Sequence, residues 1–481
     1  MVCNLNQDEM PLLRAMKGYA DRDVTAFDVP GHKRGRGVPI LNDFFGDQLM
    51  RLDTNSLPDL DNVGHPTGVI REAQDLFADA YGANEAFFMA NGSTSAIHAM
   101  LMSVLVPGDK ILMPKNIHKS ALNGLILCGA TPVYMRPEIC IKEGLMKNVT
   151  VAEVQRCLDE HPDAKAVFVL NPTYFGHVSD LEAIGELCHK SGVLLLADEA
   201  HGAHFPFHES MPKSAMNCGA DISCLSIHKT GGALTQSSAL ILNSKRIDSL
   251  RVKRVVNILQ STSVSYLLMG SLDGARWNLV KNGQQQLSQA IQLSEEARTL
   301  LNQIAGLSVV TEKDFHDPTK LIINVSGLSL TGFEVYEKLW QEYNVQLELC
   351  ETNHVLAIIS LGTQATDTKR LVKAMADLAI RFPGSGKESH LLTGPTVATT
   401  VQLMSPRDAY FAKKELIPFN RAVGRIAGES IMAYPPGIPI ISPGEEISGE
   451  VVRNLKELIE LGAFIVDNAD PKLECVLVVN K

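Results

Sequence analysis

The chain lacks several features that mark whole classes of protein. Its 481 residues contain no apolar run of the roughly 18 residues that a membrane-spanning helix needs, which argues against the helical membrane classes. Its nine cysteines include no Cys-x-x-Cys pair, and their number is odd. The opening segment Met1–Glu9 does not read as a signal peptide. We therefore expect reduced thiols and a cytoplasmic protein.

An excess of positive charge is also missing. The chain has 44 Lys and Arg residues against 54 Asp and Glu residues, a net charge of −10. Such a balance gives no general attraction for nucleic acid or anionic lipid, whereas a small cationic substrate is compatible with it. Hydrophobic residues at 45% and charged residues at 20% are typical of a soluble globular protein and exclude disordered, collagenous and coiled-coil classes.

What is present is an alternation of helix-like stretches with short apolar runs, from about residue 70 to residue 245. Runs this short and continuously apolar are typical of strands buried on both faces, and the alternation predicts an α/β fold with a mostly parallel sheet. Functional residues are then expected at the carboxyl ends of the strands. The predicted strands are Lys110–Pro114, Ala166–Leu170, Val193–Ala197, Cys224–Ile227 and Ala239–Asn243.

The rest of the chain divides by composition. Residues 246–310 have helical periodicity, and a smaller α/β unit is predicted after them, with a helix around residues 332–342. The segment 381–389 is rich in Gly, Pro and Ser and predicts a linker. Strands of the smaller unit are predicted at Leu321–Val325, Val345–Leu349 and Val355–Ile359. The predicted divisions are 1–30, 31–275, 276–383 and 384–481.

The motif Asp198-Glu-Ala-His-Gly202 follows a predicted buried strand. It matches the Asp-Glu-Ala-His box of nucleic-acid ATPases, but those enzymes also need a phosphate-binding loop. The sequence has no such loop, and the most similar segment, Gly384–Lys387, lies in the predicted linker. A metal site of the histidines at 201, 204 and 208 is disfavoured because Pro206 interrupts the helix it would need. Asp198 is thus best interpreted as a ligand-facing carboxylate at a strand end.

A lysine follows another predicted strand in Ser226-Ile-His-Lys-Thr-Gly-Gly232. Lys229 could be an ordinary solvated lysine. However, apolar residues precede it and two glycines follow it, which favours a buried site in which the amine forms a Schiff base with a carbonyl cofactor. Together, Lys229 and Asp198 are the pair that pyridoxal 5'-phosphate requires: an imine-forming lysine and an acid that keeps the ring nitrogen protonated.

A phosphate site is the third requirement. The segment Ala90–Ser95 (Ala-Asn-Gly-Ser-Thr-Ser) opens a predicted helix, and hydroxyls and free N–H groups at a helix start bind anions. Alone, the segment would indicate only a capped helix, but beside Asp198 and Lys229 the anion site is the better interpretation. His118 also follows a strand, either as an ordinary loop histidine or as a ring stacked on a planar cofactor.

These segments, with Val29-Pro-Gly-His-Lys33, resemble the bacterial ornithine/lysine/arginine decarboxylase family, which has the aspartate-aminotransferase fold (fold type I) and uses pyridoxal 5'-phosphate. The resemblance covers nearly the whole chain. It implies that Lys229 carries the cofactor, Asp198 pairs with the pyridine nitrogen and His118 stacks on the ring. It assigns Thr94, Ser95, Ser226 and His228 to the phosphate, and Ala200 and His201 to the lining of the cofactor pocket.

The resemblance also implies an assembly. The segment Gln260–Tyr266 looks like the family's Thr/Ser-rich loop that reaches the neighbouring subunit's site, with Thr262 as the contact. We therefore expect a homodimer, or a higher homo-oligomer, with shared active sites. Because Pro-Gly-His-Lys33 comes so early, we expect the family's N-terminal wing domain, and decamers formed through it, to be absent.

The expected reaction is the decarboxylation of arginine to agmatine and CO2 in polyamine synthesis, because Ser226–Ser238 is most similar to the short arginine decarboxylases. Lysine or ornithine remains possible, as does an aminotransferase or a catalytically inactive protein that binds the cofactor. A basic substrate needs a carboxylate partner, and Glu348 is the candidate, although it could instead face solvent from an alternating strand. If Glu348 is structural, the other candidates for the acid that binds the cation are Asp53, Asp59 and Asp61.

Overall fold

The structure is a computed structural model that describes residues 5–140, 143–243, 245–310, 316–384, 400–434 and 437–480. Gly384 is the last described residue of the predicted linker, and the rest of that linker lies outside this part of the chain. None of the described helices combines the length and apolar character that crossing a membrane requires.

The described α-helices are distributed along the whole chain. They are α1 (Pro11–Asp21), α2 (Pro39–Phe45), α3 (Asp47–Leu52), α4 (Val69–Ala80), α5 (Gly92–Val104), α6 (Lys119–Cys128), α7 (Val151–Glu160), α8 (Leu181–Lys190), α9 (Ile227–Thr230), α10 (Ser249–Leu259), α11 (Tyr266–Leu301), α12 (Gly332–Tyr343), α13 (Ala365–Arg381), α14 (Pro406–Phe411) and α15 (Gly449–Glu460).

The described strands alternate with these helices through most of the chain. They are β1 (Glu85–Met89), β2 (Lys110–Pro114), β3 (Thr131–Met135), β4 (Ile139–Cys140), β5 (Leu145–Met146), β6 (Ala166–Leu170), β7 (Leu194–Glu199), β8 (Ile222–Leu225), β9 (Ser238–Leu242), β10 (Ser308–Val309), β11 (Lys320–Asn324), β12 (Leu349–Cys350), β13 (His354–Ile358), β14 (Lys414–Pro418), β15 (Ile431–Tyr434), β16 (Ile438–Ile441), β17 (Phe464–Val466) and β18 (Cys475–Val479).

The first of two compact units contains the described residues up to Ser103, together with Leu195–Gln285. Its strands follow the order β1-β9-β8-β7. β7 and β8 pair in parallel, whereas β9 runs antiparallel to both β8 and β1. Every residue of β8 and β9 is buried, which explains why these strands are continuously apolar or small rather than alternating.

The second unit contains Val104–Leu194 and the described residues from Gln286 onward. Strands β6, β2 and β3 pair in parallel. Farther along, β10, β11, β13 and β12 form an antiparallel sheet. Towards the end of the chain, β14 pairs with β18, and β15 pairs with β16 and β17. The finer four-part division of the chain stays a prediction.

The predicted strand Val345–Leu349 is wrong over most of its length. Only Leu349 and Cys350 form β12. The reason is the end of α12: Asn344 takes the left-handed conformation, with φ of 50°, and the N–H of Val345 donates to Leu339 O. Residues 345–347 lie in no strand, and pairing with β13 starts only at the N–H of Glu348, which donates to Leu356 O.

A buried acid joins the two ends of the first unit's chain. Asp273 of α11 accepts the backbone N–H groups of Leu12 and Leu13 at 3.1 and 3.2 Å, so it caps the start of α1 from a distant position. Its other oxygen accepts from Arg276 at 2.6 Å, and both side chains are fully buried. Arg276 in turn donates to the carbonyls of Gln7 and Glu9. The start of the N-terminal helix is therefore fixed by a charged pair within α11.

We expect Asp273→Ala to destabilise the first unit by about 3–5 kcal/mol, because it leaves the buried guanidinium without its counter-charge. Urea unfolding followed by the fluorescence of Trp277, in a Trp340→Phe background, would measure this. The matched control is Asp47→Ala, which removes an exposed pair with Arg51 and should cost at most about 1 kcal/mol. Equal midpoints for the two variants would contradict the role of Asp273.

Candidate active site

Asp198 lies near the carboxyl end of β7, where a parallel strand presents its side chains to a ligand. The residue is 5% exposed. Its Oδ1 accepts two hydrogen bonds, from the N–H of Ala200 at 3.0 Å and from the thiol of Cys224 at 3.4 Å. No described residue donates to its Oδ2. One oxygen is therefore fixed, and the other is left for a partner.

The electrostatic state of Asp198 indicates what that partner should be. Burial raises the pKa of Asp198, and the N–H of Ala200, the charge of Lys229 and the thiol of Cys224 act in the opposite direction. A carboxylate whose burial is incompletely compensated is stabilised by a further cationic or N–H donor. The site thus favours a positively charged N–H group facing Oδ2.

Lys229 lies in the short helix α9, directly after β8. Its Nζ lies 3.1 Å from Nε2 of His201, which is buried. The chain packs closely after the lysine, since a Cβ at Gly231 would lie 2.8 Å from Cγ2 of Ile227. Gly231 therefore permits a close approach, as the motif indicates. The structure also brings Asp198, His201 and Lys229 into one region of the first unit.

Two buried hydroxyls flank the lysine and test whether the site fits a phosphate-bearing cofactor. Oγ of Ser226 and Oγ1 of Thr230 are buried, and neither has a hydrogen-bond partner among the described residues. An unsatisfied buried hydroxyl is costly, and a ligand oxygen would satisfy it. The ring of His228 is held differently, because its Nδ1 lies 3.0 Å from the carbonyl of Ser237. The residues present fit such a cofactor.

The predicted phosphate helix, α5, begins at Gly92, which has a φ of +76°. The N–H of Gly92 donates to Gln236 O, and Oγ of the buried Ser95 donates back to Gly92 O at 3.0 Å. Thr94 is exposed. Gln236 also precedes Ser237, so a single turn contacts both the start of α5 and His228.

The Thr/Ser-rich segment joins α10 to α11. Thr262 is exposed on the chain, as an intersubunit contact requires. The segment is anchored at its start, since Oε1 of Gln260 accepts the N–H of Ala90 at 3.2 Å. The loop is thereby tied to the turn that precedes α5.

Two predicted site residues belong to the second unit. His118 is the N-cap of α6, and its Nδ1 accepts the N–H of Ser120 at 3.2 Å. It is half-buried. Glu348 is exposed, between the buried Leu347 and Leu349, so the alternation of an edge strand is present around it. The roles of both residues stay predictions.

The three alternative candidates for the cation-binding acid have other contacts. Oδ2 of Asp53 lies 3.1 Å from Nε2 of His32, in the Pro-Gly-His-Lys motif. Asp59 forms an exposed ion pair with Arg22. The Asp61 carboxylate accepts backbone N–H groups of its own loop, which outweigh burial and lower its pKa. The carboxylate of Asp61 therefore stabilises its own loop.

Sequence reasoning missed Cys224 and Ser237. Cys224 reaches Asp198 because the two residues are direct partners in the β7–β8 register, which no pattern within one strand reveals. Ser237 faces His228 through its carbonyl and holds α11 through its hydroxyl, which donates to Leu268 O at 3.1 Å. The one sequence feature that could have indicated Cys224 is its polarisable side chain two positions before Ser226.

Comparison with known families gives two matches along the chain. Residues 10–314 match "Orn/Lys/Arg decarboxylase, major domain", and residues 389–463 match "Orn/Lys/Arg decarboxylase, C-terminal domain". Arginine decarboxylases from Bacillus subtilis and Bacillus anthracis are 40% and 39% identical to the chain. Each alignment covers 99% of this chain, with 99% of the B. subtilis protein and 98% of the B. anthracis protein.

Solved structures confirm the predicted fold class. The Francisella novicida lysine decarboxylase LdcF has a TM-score of 0.86 and 20% identity, and the match covers 98% of this chain and 82% of that one. Ureidoglycine-glyoxylate aminotransferase from B. subtilis has a TM-score of 0.53 and 14% identity, covering 66% of this chain and 87% of that one. The α/β architecture of fold type I is thus shared.

Proposed function

The chain belongs to the Orn/Lys/Arg decarboxylase family, and from this we propose that it converts arginine to agmatine and CO2. The observation that carries the choice of arginine is the 40% identity to an arginine decarboxylase over 99% of both chains. Enzymes of this family and fold depend in general on pyridoxal 5'-phosphate. The chain is therefore a decarboxylase, and the remaining proposals concern its own residues.

We propose that Lys229 holds the cofactor and Asp198 faces its pyridine nitrogen through Oδ2. Bound pyridoxal 5'-phosphate supplies a protonated ring that accepts the electron pair released when the Cα–carboxylate bond breaks. Asp198 keeps the proton on the ring nitrogen, because a carboxylate in a buried site strongly favours the charged ring. His201, 3.1 Å from Lys229, can exchange a proton with Nζ when the substrate amine takes the lysine's place.

The same proposal assigns the remaining ligands. Ser226, His228, Thr94 and Ser95 bind the phosphate, supported by the unpartnered Oγ of Ser226 and by the helix start at Gly92. Ala200 anchors Asp198 through its N–H and lines the pocket with His201. His118 stacks on the ring.

We propose that the chain works as a homodimer in which Thr262 contacts the partner's site. An apolar surface supports this, since α2 has no buried residue and its Phe44 and Phe45 are 78% and 59% exposed. Phe27 nearby in sequence is 93% exposed. Large exposed apolar side chains of this kind are typical of protein interfaces.

The test of the function is direct. The purified chain, loaded with pyridoxal 5'-phosphate, is incubated separately with arginine, lysine and ornithine, and CO2 and the amine product are both assayed. We expect agmatine from arginine at the highest kcat/KM. Preference for lysine or ornithine would transfer the assignment to that substrate, and amino transfer without CO2 release would overturn decarboxylation.

Glu348 is proposed to bind the distal cation of the substrate. We expect Glu348→Gln, which keeps the shape and removes the charge, to lower kcat/KM for arginine about ten- to a hundredfold, because one charge-assisted bond costs about 1.5–3 kcal/mol. An uncharged analogue of equal length should lose little. The control is Glu351→Gln in the same hairpin, a half-buried acid whose pKa burial raises to about 7. Equal losses for both substrates would make Glu348 structural.

A further inference from the structure

A cysteine outside all the assignments above contacts the central carboxylate. Cys224 of β8 is the register partner of Asp198 of β7, so the two side chains project from adjacent strands at the same level. Sγ of Cys224 lies 3.4 Å from Oδ1 of Asp198. The cysteine is fully buried, and Asp198 is 5% exposed.

The thiol stays protonated in this position. Burial raises the pKa of Cys224 well above its usual value, and the charge of Asp198 raises it further. A thiol that cannot ionise is a permanent, if weak, hydrogen-bond donor. Ionisation of the cysteine is therefore disfavoured, and its thiol remains the donor to Asp198.

The contact gives the two carboxylate oxygens of Asp198 different roles. Oδ1 takes both available donors, the N–H of Ala200, which directly follows β7, and the thiol of Cys224 on β8. With two donors on one oxygen, rotation of the carboxylate about its Cβ–Cγ bond would break both bonds. Oδ2 is held in place as the acceptor without a donor.

We propose that Cys224 is a positioning residue for Asp198: its thiol holds Oδ1 so that Oδ2 is presented to the pyridine nitrogen of the cofactor. This rests on the proposed function, in which Asp198 pairs with that nitrogen. Cys224 does not touch the reacting atoms and acts only through the carboxylate. The contact also opposes the effect of burial on the pKa of Asp198, so it favours the charged form that the cofactor needs.

The test measures the binding of pyridoxal 5'-phosphate to the full-length apo-protein, by fluorescence titration, for three variants. Cys224→Ala removes the donor and should weaken cofactor binding about five- to tenfold, less than for a full charge-assisted bond because a thiol is a weak donor. Cys224→Ser restores a donor and should bind within about twofold of the unaltered chain. Cys350→Ala, a buried cysteine in β12, is the control and should bind normally.

The pH dependence separates positioning from a merely structural role. Without the thiol, Asp198 is protonated at a higher pH, so the deficit of Cys224→Ala should grow as the solution is made more acidic. Normal binding by Cys224→Ala, or a deficit that is independent of pH and not rescued by serine, would overturn the inference. If the unaltered chain failed to bind the cofactor, the proposed function would fall, and this inference with it.

Discussion

Replacing Lys229 by alanine should lower the decarboxylation rate by on the order of 10⁴-fold or more, because it removes the amine that we propose to hold the cofactor covalently and to exchange with the substrate. The structure favours this lysine over the others, since it directly follows a buried strand and lies 3.1 Å from a buried histidine. Steady-state kinetics with arginine would measure the loss.

The chemical identity of the lysine can be established independently of rate. Borohydride reduction of the loaded enzyme, followed by peptide mapping, should place the pyridoxyl group on Lys229 and should find none in the Lys229→Ala variant. Lys17→Ala, which removes an exposed lysine paired with Asp21, should be labelled and active like the unaltered chain. A pyridoxyl group on another lysine would contradict the whole set of cofactor contacts.

Asp198→Asn should keep the protein folded and slow decarboxylation by about 10²- to 10³-fold, the size of effect seen when one preorganised electrostatic group is removed from a buried site. The amide keeps the shape and can still accept from Ala200, but it lacks the charge that we propose to hold a proton on the ring nitrogen. The loss should appear in kcat more than in KM, because the charge matters most as electrons enter the ring.

A matched control for Asp198 is available in the second unit. Asp180→Asn changes an exposed aspartate that caps α8 through the N–H of Ala183, so it alters stability slightly and should leave kcat unchanged. Near-normal turnover by Asp198→Asn would remove Asp198 from the mechanism. If Asp198→Asn loses the cofactor as well as activity, saturating cofactor should restore part of the rate. The rate that remains missing at saturation then measures the effect on catalysis rather than on cofactor binding.

The sequence was most informative where strands are buried on both faces. Strands β2 and β6 coincide with the predicted runs, because continuous apolar character and flanking turn residues mark such strands without reference to their neighbours. The residues at strand ends, Asp198 and Lys229, followed from the same signal. The apolar run and the residue at its end can both be recognised within a single segment of the sequence.

What the sequence did not predict depends either on a turn conformation or on contacts between segments. The strand predicted at Val345–Leu349 is shortened by the capping turn at Asn344, a local conformation that alternation does not encode. The contact between Cys224 and Asp198 depends on the register of two strands. The cap that Asp273 supplies to α1 joins residues 261 positions apart, and no periodicity connects them.

That last contact has a consequence for synthesis on the ribosome. Leu12 is synthesised long before Asp273, and at about 5–20 residues per second the 261 residues from 13 to 273 take roughly 13–52 s to add. During that interval, α1 has neither its capping acceptor nor the α11 surface, where Gly270 admits Met16 so closely that a Cβ would lie 2.6 Å from its sulfur. The apolar face of α1 that packs on α11 is therefore unsatisfied in the nascent chain until the long helix has been translated.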